Sequence, residues 1–175
     1  AGLVQVASSG DAISVLVAPA GTGKTTAVGA AVAAWQSAGY RTILLAPSAR
    51  AAAELRDATG TPADTVAKFL WDQTNPPPPD PFRWNPDLGP RDVMIVDEAS
   101  MLPTADLHAL AQLTAGVDAK LGLVGDPAQI GAVDAACGML PALAERFDSP
   151  SPDTVHRFTE TWERHASLRL RRGDT

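Results

Sequence analysis

The segment Ala18-Pro19-Ala20-Gly21-Thr22-Gly23-Lys24-Thr25-Thr26 puts a cation, several hydroxyls and two glycines into one short loop. Those residue types suit a polyphosphate. Successive backbone N–H groups from Ala20 through Thr26 can wrap the α- and β-phosphates, and the start of a following helix adds partial positive charge. Gly21 and Gly23 let the backbone turn and come close. Lys24 would place its ammonium between the β- and γ-phosphates, and Thr25 would offer a hydroxyl oxygen to Mg²⁺. The first loop position, usually glycine, is Ala18 here, which leaves the Gly23-Lys24-Thr25 centre intact. A glycine-rich turn with a surface lysine is the plain alternative; an apolar run before the loop and a helical pattern after it argue against that.

Two further segments carry candidate chemistry. Val93-Met94-Ile95-Val96 runs into Asp97-Glu98-Ala99-Ser100, so a carboxylate pair falls at the end of an apolar strand, where α/β sheets bind ligands. Asp97 is suited to holding a metal's water shell and Glu98 to polarising an attacking water. Neighbouring strand residues point to opposite sides, which predicts separate roles for the two. Leu123-Val124-Gly125-Asp126-Pro127-Ala128-Gln129-Ile130 repeats the strand-then-turn pattern, and Gln129 is placed to reach a γ-phosphate or the water as a neutral sensor.

Strands and helices must position these groups. Ile13–Val17, Thr42–Leu45, Val93–Val96 and the shorter Leu121–Val124 are apolar without strict alternation, the habit of parallel strands covered on both faces. Val28, Ala31, Val32 and Trp35 form a helical stripe closed by Gly39. Leu107, Leu110 and Leu113 form another, between Pro103-Thr104 and Gly116. The alternation predicts a mainly parallel α/β sheet flanked by helices.

From 72 to 90 the pattern breaks into a proline-rich excursion, for which we expect a stiff surface segment without helix. Trp71 and Trp84 flank it, and Glu160 to Arg172 has the pattern of a basic-tipped helix carrying Trp162. The 175 residues fit one domain with an ordinary globular composition. A net charge of −6 does not by itself suggest nucleic acid, so any such contact rests on local Arg and Lys. With Cys137 the sole cysteine, no intrachain disulfide can form, and His108, Cys137, His156 and His165 lack zinc-ligand spacing. No apolar run approaches the ~18 residues of a membrane span, and no signal-peptide pattern opens the chain. The expectation is a cytoplasmic protein without membrane insertion. A start at Ala1 and an end at Arg171-Arg172-Gly173-Asp174-Thr175 reads as a piece of something longer.

AGTGKT, DEAS and GDPAQ, in that order, resemble motifs I, II and III of superfamily 1 DNA helicases, and DEAS with GDPAQI is most similar to the RecD-like 5′-to-3′ group. Ala46-Pro47-Ser48-Ala49-Arg50-Ala51-Ala52 resembles motif Ia, and Thr65-Val66-Ala67-Lys68-Phe69-Leu70 the DNA-contacting motif after it. Val155-His156-Arg157-Phe158 and the run from Ala166 to Arg171 look like the helicase region of TraI/TrwC/TraA-type conjugative relaxases. The resemblance implies a RecA-like P-loop NTPase lobe over 1–175 that uses ATP and Mg²⁺. It implies that Lys24, Thr25, Asp97, Glu98 and Gln129 ring the nucleotide, and that Arg157 touches the γ-phosphate. It further implies that Ser48, Arg50 and Thr65 meet the backbone of single-stranded DNA.

Such motors close two RecA-like lobes on ATP, and no stretch after Arg157 is long enough for the second. The resemblance therefore implies a missing second lobe, an N-terminal relaxase domain elsewhere in the parent, and a weakly active or inactive fragment. Two other readings stay open at this point: a regulatory nucleotide-binding or docking module without motor activity, and a PhoH-like or other P-loop ATPase acting on RNA.

Overall fold

The apolar runs become strands because each has two faces to bury. The chain, seen in a computed structural model, is described over residues 10–18, 23–76, 87–126 and 139–147. Within these residues β1 (Ile13–Val17), β2 (Arg41–Ala46), β3 (Ala63–Thr65), β4 (Asp92–Val96) and β5 (Lys120–Gly125) form one sheet. All pairings are parallel, in the order β1-β5-β4-β2-β3. Helix α1 (Lys24–Ser37) joins β1 to β2, α2 (Ala49–Thr59) joins β2 to β3, and α3 (Val66–Thr74) leaves β3. Helix α4 (Thr104–Gly116) joins β4 to β5, and α5 (Leu140–Arg146) follows β5.

Successive strand residues supply opposite layers. Ile43, Leu45, Met94 and Val96 pack with Phe69 of α3 and Leu110 of α4. Leu44, Val93 and Ile95 pack on the other face with Val32 and Trp35 of α1 and Leu55 of α2. Burying one such side chain is worth about 1.5–3 kcal/mol, so a one-residue slip of a strand would disturb both layers together. The four residues expected as the α1 stripe are its buried ones.

Helix ends explain the connections. Helix α1 stops in a Schellman motif: Gly39 is left-handed at φ 81°, Gly39 N–H donates to the Gln36 carbonyl and Tyr40 N–H to that of Trp35, both at 3.0 Å. Gly60, at φ 65°, ends α2. Two expectations need correction. Helix α3 runs to Thr74, so helix is not excluded from Asp72; its Asp72 is buried and paired with Lys68 one turn back, which carries the helix to the prolines. Gly116, placed after the Leu107–Leu113 stripe as a boundary, is itself the last helical residue, and Asp118 takes the left-handed conformation at φ 57°, which a short polar side chain tolerates.

Asp92 anchors the return of the proline-rich stretch to the sheet. Its carboxylate accepts from Arg41 Nε at 2.8 Å, from Arg41 Nη2 at 2.5 Å and from Gly89 N–H at 2.7 Å. Burial would raise this carboxyl, but the Arg41 and Gly89 hydrogen bonds hold it below its ordinary value. Residues 77–86, including Trp84, and the expected helix at 160–172 lie outside the described residues. Among the described residues no helix is long and apolar enough to cross a membrane.

Candidate functional site

Because every strand runs the same way, the loops after them share one edge of the sheet. Gly23–Thr26 follow β1, Asp97–Ser100 follow β4, and Asp126 follows β5, with Ser48 and Thr65 at the ends of β2 and β3. Strand β5 separates β1 from β4, which puts the lysine loop and the carboxylates about 10 Å apart at the backbone, two strand spacings. The Lys24 side chain spans that gap. Its Nζ donates to Glu98 Oε1 at 2.5 Å, with the lysine side chain 9% exposed and the glutamate 26%.

The start of α1 is an open set of donors. Gly23 precedes it in the left-handed conformation, φ 77°, which glycine adopts without the cost of a Cβ. No side chain caps the helix, and its first turn has no acidic residue. Ala27 N–H closes the first helical bond on the Gly23 carbonyl at 3.0 Å, so the preceding N–H groups are free of that ladder and face an anion's natural position.

Asp97 and Glu98 diverge for a reason other than strand alternation. Asp97 N–H continues the ladder onto the Leu45 carbonyl at 2.9 Å, keeping Asp97 at the sheet edge, where it is 8% exposed. Glu98 turns left-handed at φ 52°, outside the strand, and faces Lys24. A non-glycine residue there costs of order 1–3 kcal/mol, and such strain gathers at functional sites. Burial pushes the Asp97 carboxyl up, against the opposing pull of Lys24 and the 2.9 Å hydrogen bond from Glu98 N–H.

The turn after Glu98 rests on the end of β5. Met101 N–H closes it onto the Glu98 carbonyl at 2.9 Å. A Cβ on Gly125 would lie 2.8 Å from Leu140 Cδ2, 3.0 Å from Ser100 N and 3.3 Å from Ala99 N. Only glycine lets the carboxylate turn sit this close. The strand-then-turn pattern around Gly125 does not reveal this contact, and its one local signal is a glycine closing an apolar strand. Nor does any local pattern single out Ser100, whose hydroxyl is buried and, like Glu98 Oε2, has no hydrogen-bond partner among the described residues.

Ser48 and Thr65 lie at the other end of the same edge, Thr65 paired with Ala46, two residues before Ser48. Both are helix N-caps. Ser48 Oγ accepts from Ala51 N–H at 3.2 Å, and Thr65 Oγ1 from Lys68 N–H at 3.1 Å. Each hydroxyl keeps its own proton to donate elsewhere. Arg50, 89% exposed, pairs with Glu54 at 2.9 Å on the surface of α2. Ala20, Gly21, Thr22, Gln129 and Arg157 lie outside the described residues. Among the described residues no group of three or more His, Cys, Asp or Glu could hold a metal ion.

A family model described as an AAA domain matches residues 1–175. The chain is 30% identical over 174 residues to a probable conjugal transfer protein TraA of Sinorhizobium fredii, covering 98% of this chain and 15% of that protein. It is 38% identical over 151 residues to the ATP-dependent RecD2 DNA helicase of Deinococcus radiodurans, covering 85% of this chain and 20% of that one. It thus spans only a small part of these relatives. The helicase nonstructural protein 10 of an arterivirus, solved with DNA, superposes with a TM-score of 0.50 at 17% identity, covering 86% of this chain and 37% of that chain. At that identity the likeness speaks for the fold, a RecA-like parallel sheet flanked by helices.

Proposed function

The chain belongs to this family of AAA domains, and from that premise we propose that it is the ATP-binding and ATP-hydrolysing first lobe of a RecD-like 5′-to-3′ DNA helicase or translocase. The parent we assign is a conjugative relaxase-helicase with a second RecA-like lobe and an N-terminal relaxase domain. The similarity to TraA and RecD2 proteins supports this. On this reading the chain is assigned to the cytoplasm.

The carrying observation is the Lys24–Glu98 pair, set beside an uncapped helix start at the carboxyl edge of a parallel sheet. The residues fit Mg·ATP. Lys24 and the N–H groups of Gly23 to Thr26 would hold phosphates, with Ala20, Gly21 and Thr22 completing the loop. Thr25 and Asp97 would hold Mg²⁺, which when bound neutralises charge on the phosphates. Glu98, its Oε2 still unpartnered among the described residues, would orient the water that attacks the γ-phosphorus. The water oxygen bonds to phosphorus as the bond to the β–γ bridging oxygen breaks, and the water's proton leaves toward Glu98. Gln129 and Arg157 are assigned to the γ-phosphate, and Ser48, Arg50 and Thr65 to the DNA backbone.

Calorimetric titration with Mg·AMP-PNP tests the site. The chain should bind, and Lys24→Ala should lower affinity by about 10–100-fold, the worth of a charged hydrogen bond. Equal affinity in the variant would sink the assignment.

A further inference from the structure

Ser100 carries a hydroxyl that the site as assigned so far does not use. The residue is 5% exposed, and its Oγ has no hydrogen-bond partner among the described residues. Burying an unsatisfied hydroxyl costs about 1–3 kcal/mol, so its presence calls for a partner that arrives later. Two residues earlier, in the same turn, Glu98 Oε2 is in the same condition, while Glu98 Oε1 is taken by Lys24. One atom only accepts when ionised; the other both donates and accepts. The Ser100 backbone is fixed against the end of β5, because a Cβ on Gly125 would reach within 3.0 Å of Ser100 N. The turn therefore offers two buried polar atoms, held by a rigid backbone, with complementary hydrogen-bonding capacity.

We propose that Ser100 is a water-positioning residue: its hydroxyl and Glu98 Oε2 jointly hold the water that faces the γ-phosphate. A buried water commonly makes about three hydrogen bonds, and this pair supplies two, leaving the third for the phosphate. The inference rests on the hydrolytic site proposed above.

The test combines thermal unfolding of the chain without nucleotide with calorimetric titrations of Mg·AMP-PNP, which carries a γ-phosphate, and Mg·ADP, which does not. In Ser100→Ala the unfolding midpoint should stay level or rise, since an unsatisfied hydroxyl has gone. Mg·AMP-PNP affinity should fall about two- to tenfold, the worth of one hydrogen bond, and Mg·ADP affinity should hold. In a Glu98→Ala background, Ser100→Ala should add no further loss, because the water has already lost its other holder. A lowered midpoint would show the hydroxyl already bonded within the protein. Equal loss for both nucleotides, no loss for either, or additive losses in the double variant would each overturn the role of Ser100. If the unsubstituted chain binds neither nucleotide, the site assignment itself fails, and that result is visible before any variant is made.

Discussion

Lys24 and Glu98 are each other's counter-charge, 2.5 Å apart and largely shielded from water. A polyphosphate reaching for Lys24 must compete with that carboxylate. Glu98→Gln removes the competing charge while keeping the shape. Mg·AMP-PNP affinity should therefore hold or improve, while ATP turnover of the longer protein should drop by about 10²–10⁴, the usual worth of a general base. The two readouts separate binding from chemistry. Affinity falling as far as in Lys24→Ala would make Glu98 a binding group, and unchanged turnover would mean that another residue orients the water.

Among the described glycines, Gly125, where the end of β5 meets the carboxylate turn, is the one at which an added Cβ would find its nearest neighbours. Gly125→Ala forces a Cβ to within 3.0 Å of Ser100 N, a backbone atom that cannot swing away. Overpacking of this kind costs about 1–3 kcal/mol. Each kcal/mol lowers the unfolding midpoint by about 2–4 °C in a domain of this size. Gly122, in the same strand, is a control: a Cβ there would meet the Met94 carbonyl at an ordinary 3.6 Å. Calorimetric melts should show Gly125→Ala clearly below Gly122→Ala, and equal midpoints would refute close packing as the reason for Gly125. Because the displaced turn carries Glu98, the Gly125 variant should also lose Mg·AMP-PNP affinity.

Over the whole molecule, the carboxyl edge of the sheet is divided. Strands β1, β5 and β4 carry the lysine loop and the carboxylates, and β2 and β3 carry Ser48 and Thr65. The β4–β2 pairing joins the two halves directly, giving a short mechanical path between the proposed nucleotide and DNA contacts. The relatives are far longer than this chain, which covers 15% of the TraA protein and 20% of the RecD2 helicase. On the proposed function, the second RecA-like lobe would bring an arginine of its own to the transition-state charge, beside Arg157 of this chain. Steady-state assays should then find turnover by this chain about 10³–10⁵ below that of the longer protein, with stimulation by single-stranded DNA only in the latter. DNA-stimulated turnover of equal rate in the isolated chain would contradict that division of labour.

Local patterns in the sequence determined a good deal. An uninterrupted apolar run such as Val93–Val96 has to be buried on both faces, and the stripe from Val28 to Trp35 leaves α1 one face to bury; both held in the fold. That Lys24 follows the first strand at a helix start, and that Asp97 and Glu98 close the fourth, was legible for the same reason: each segment is contiguous with the strand that carries it. Strand β3 was not legible, since Ala63-Asp64-Thr65 has no apolar pattern and is a strand only through its pairing with β2. Nor was the helical state of Asp72, which depends on its burial and its pairing with Lys68. Tertiary structure alone decided that Lys24 meets Glu98 across 74 positions of chain, that Gly125 must lack a side chain, and that the Ser100 hydroxyl is buried without a partner among the described residues. Each is a relation between segments far apart in sequence, set by strand order and packing, and no local pattern of residues carries that information.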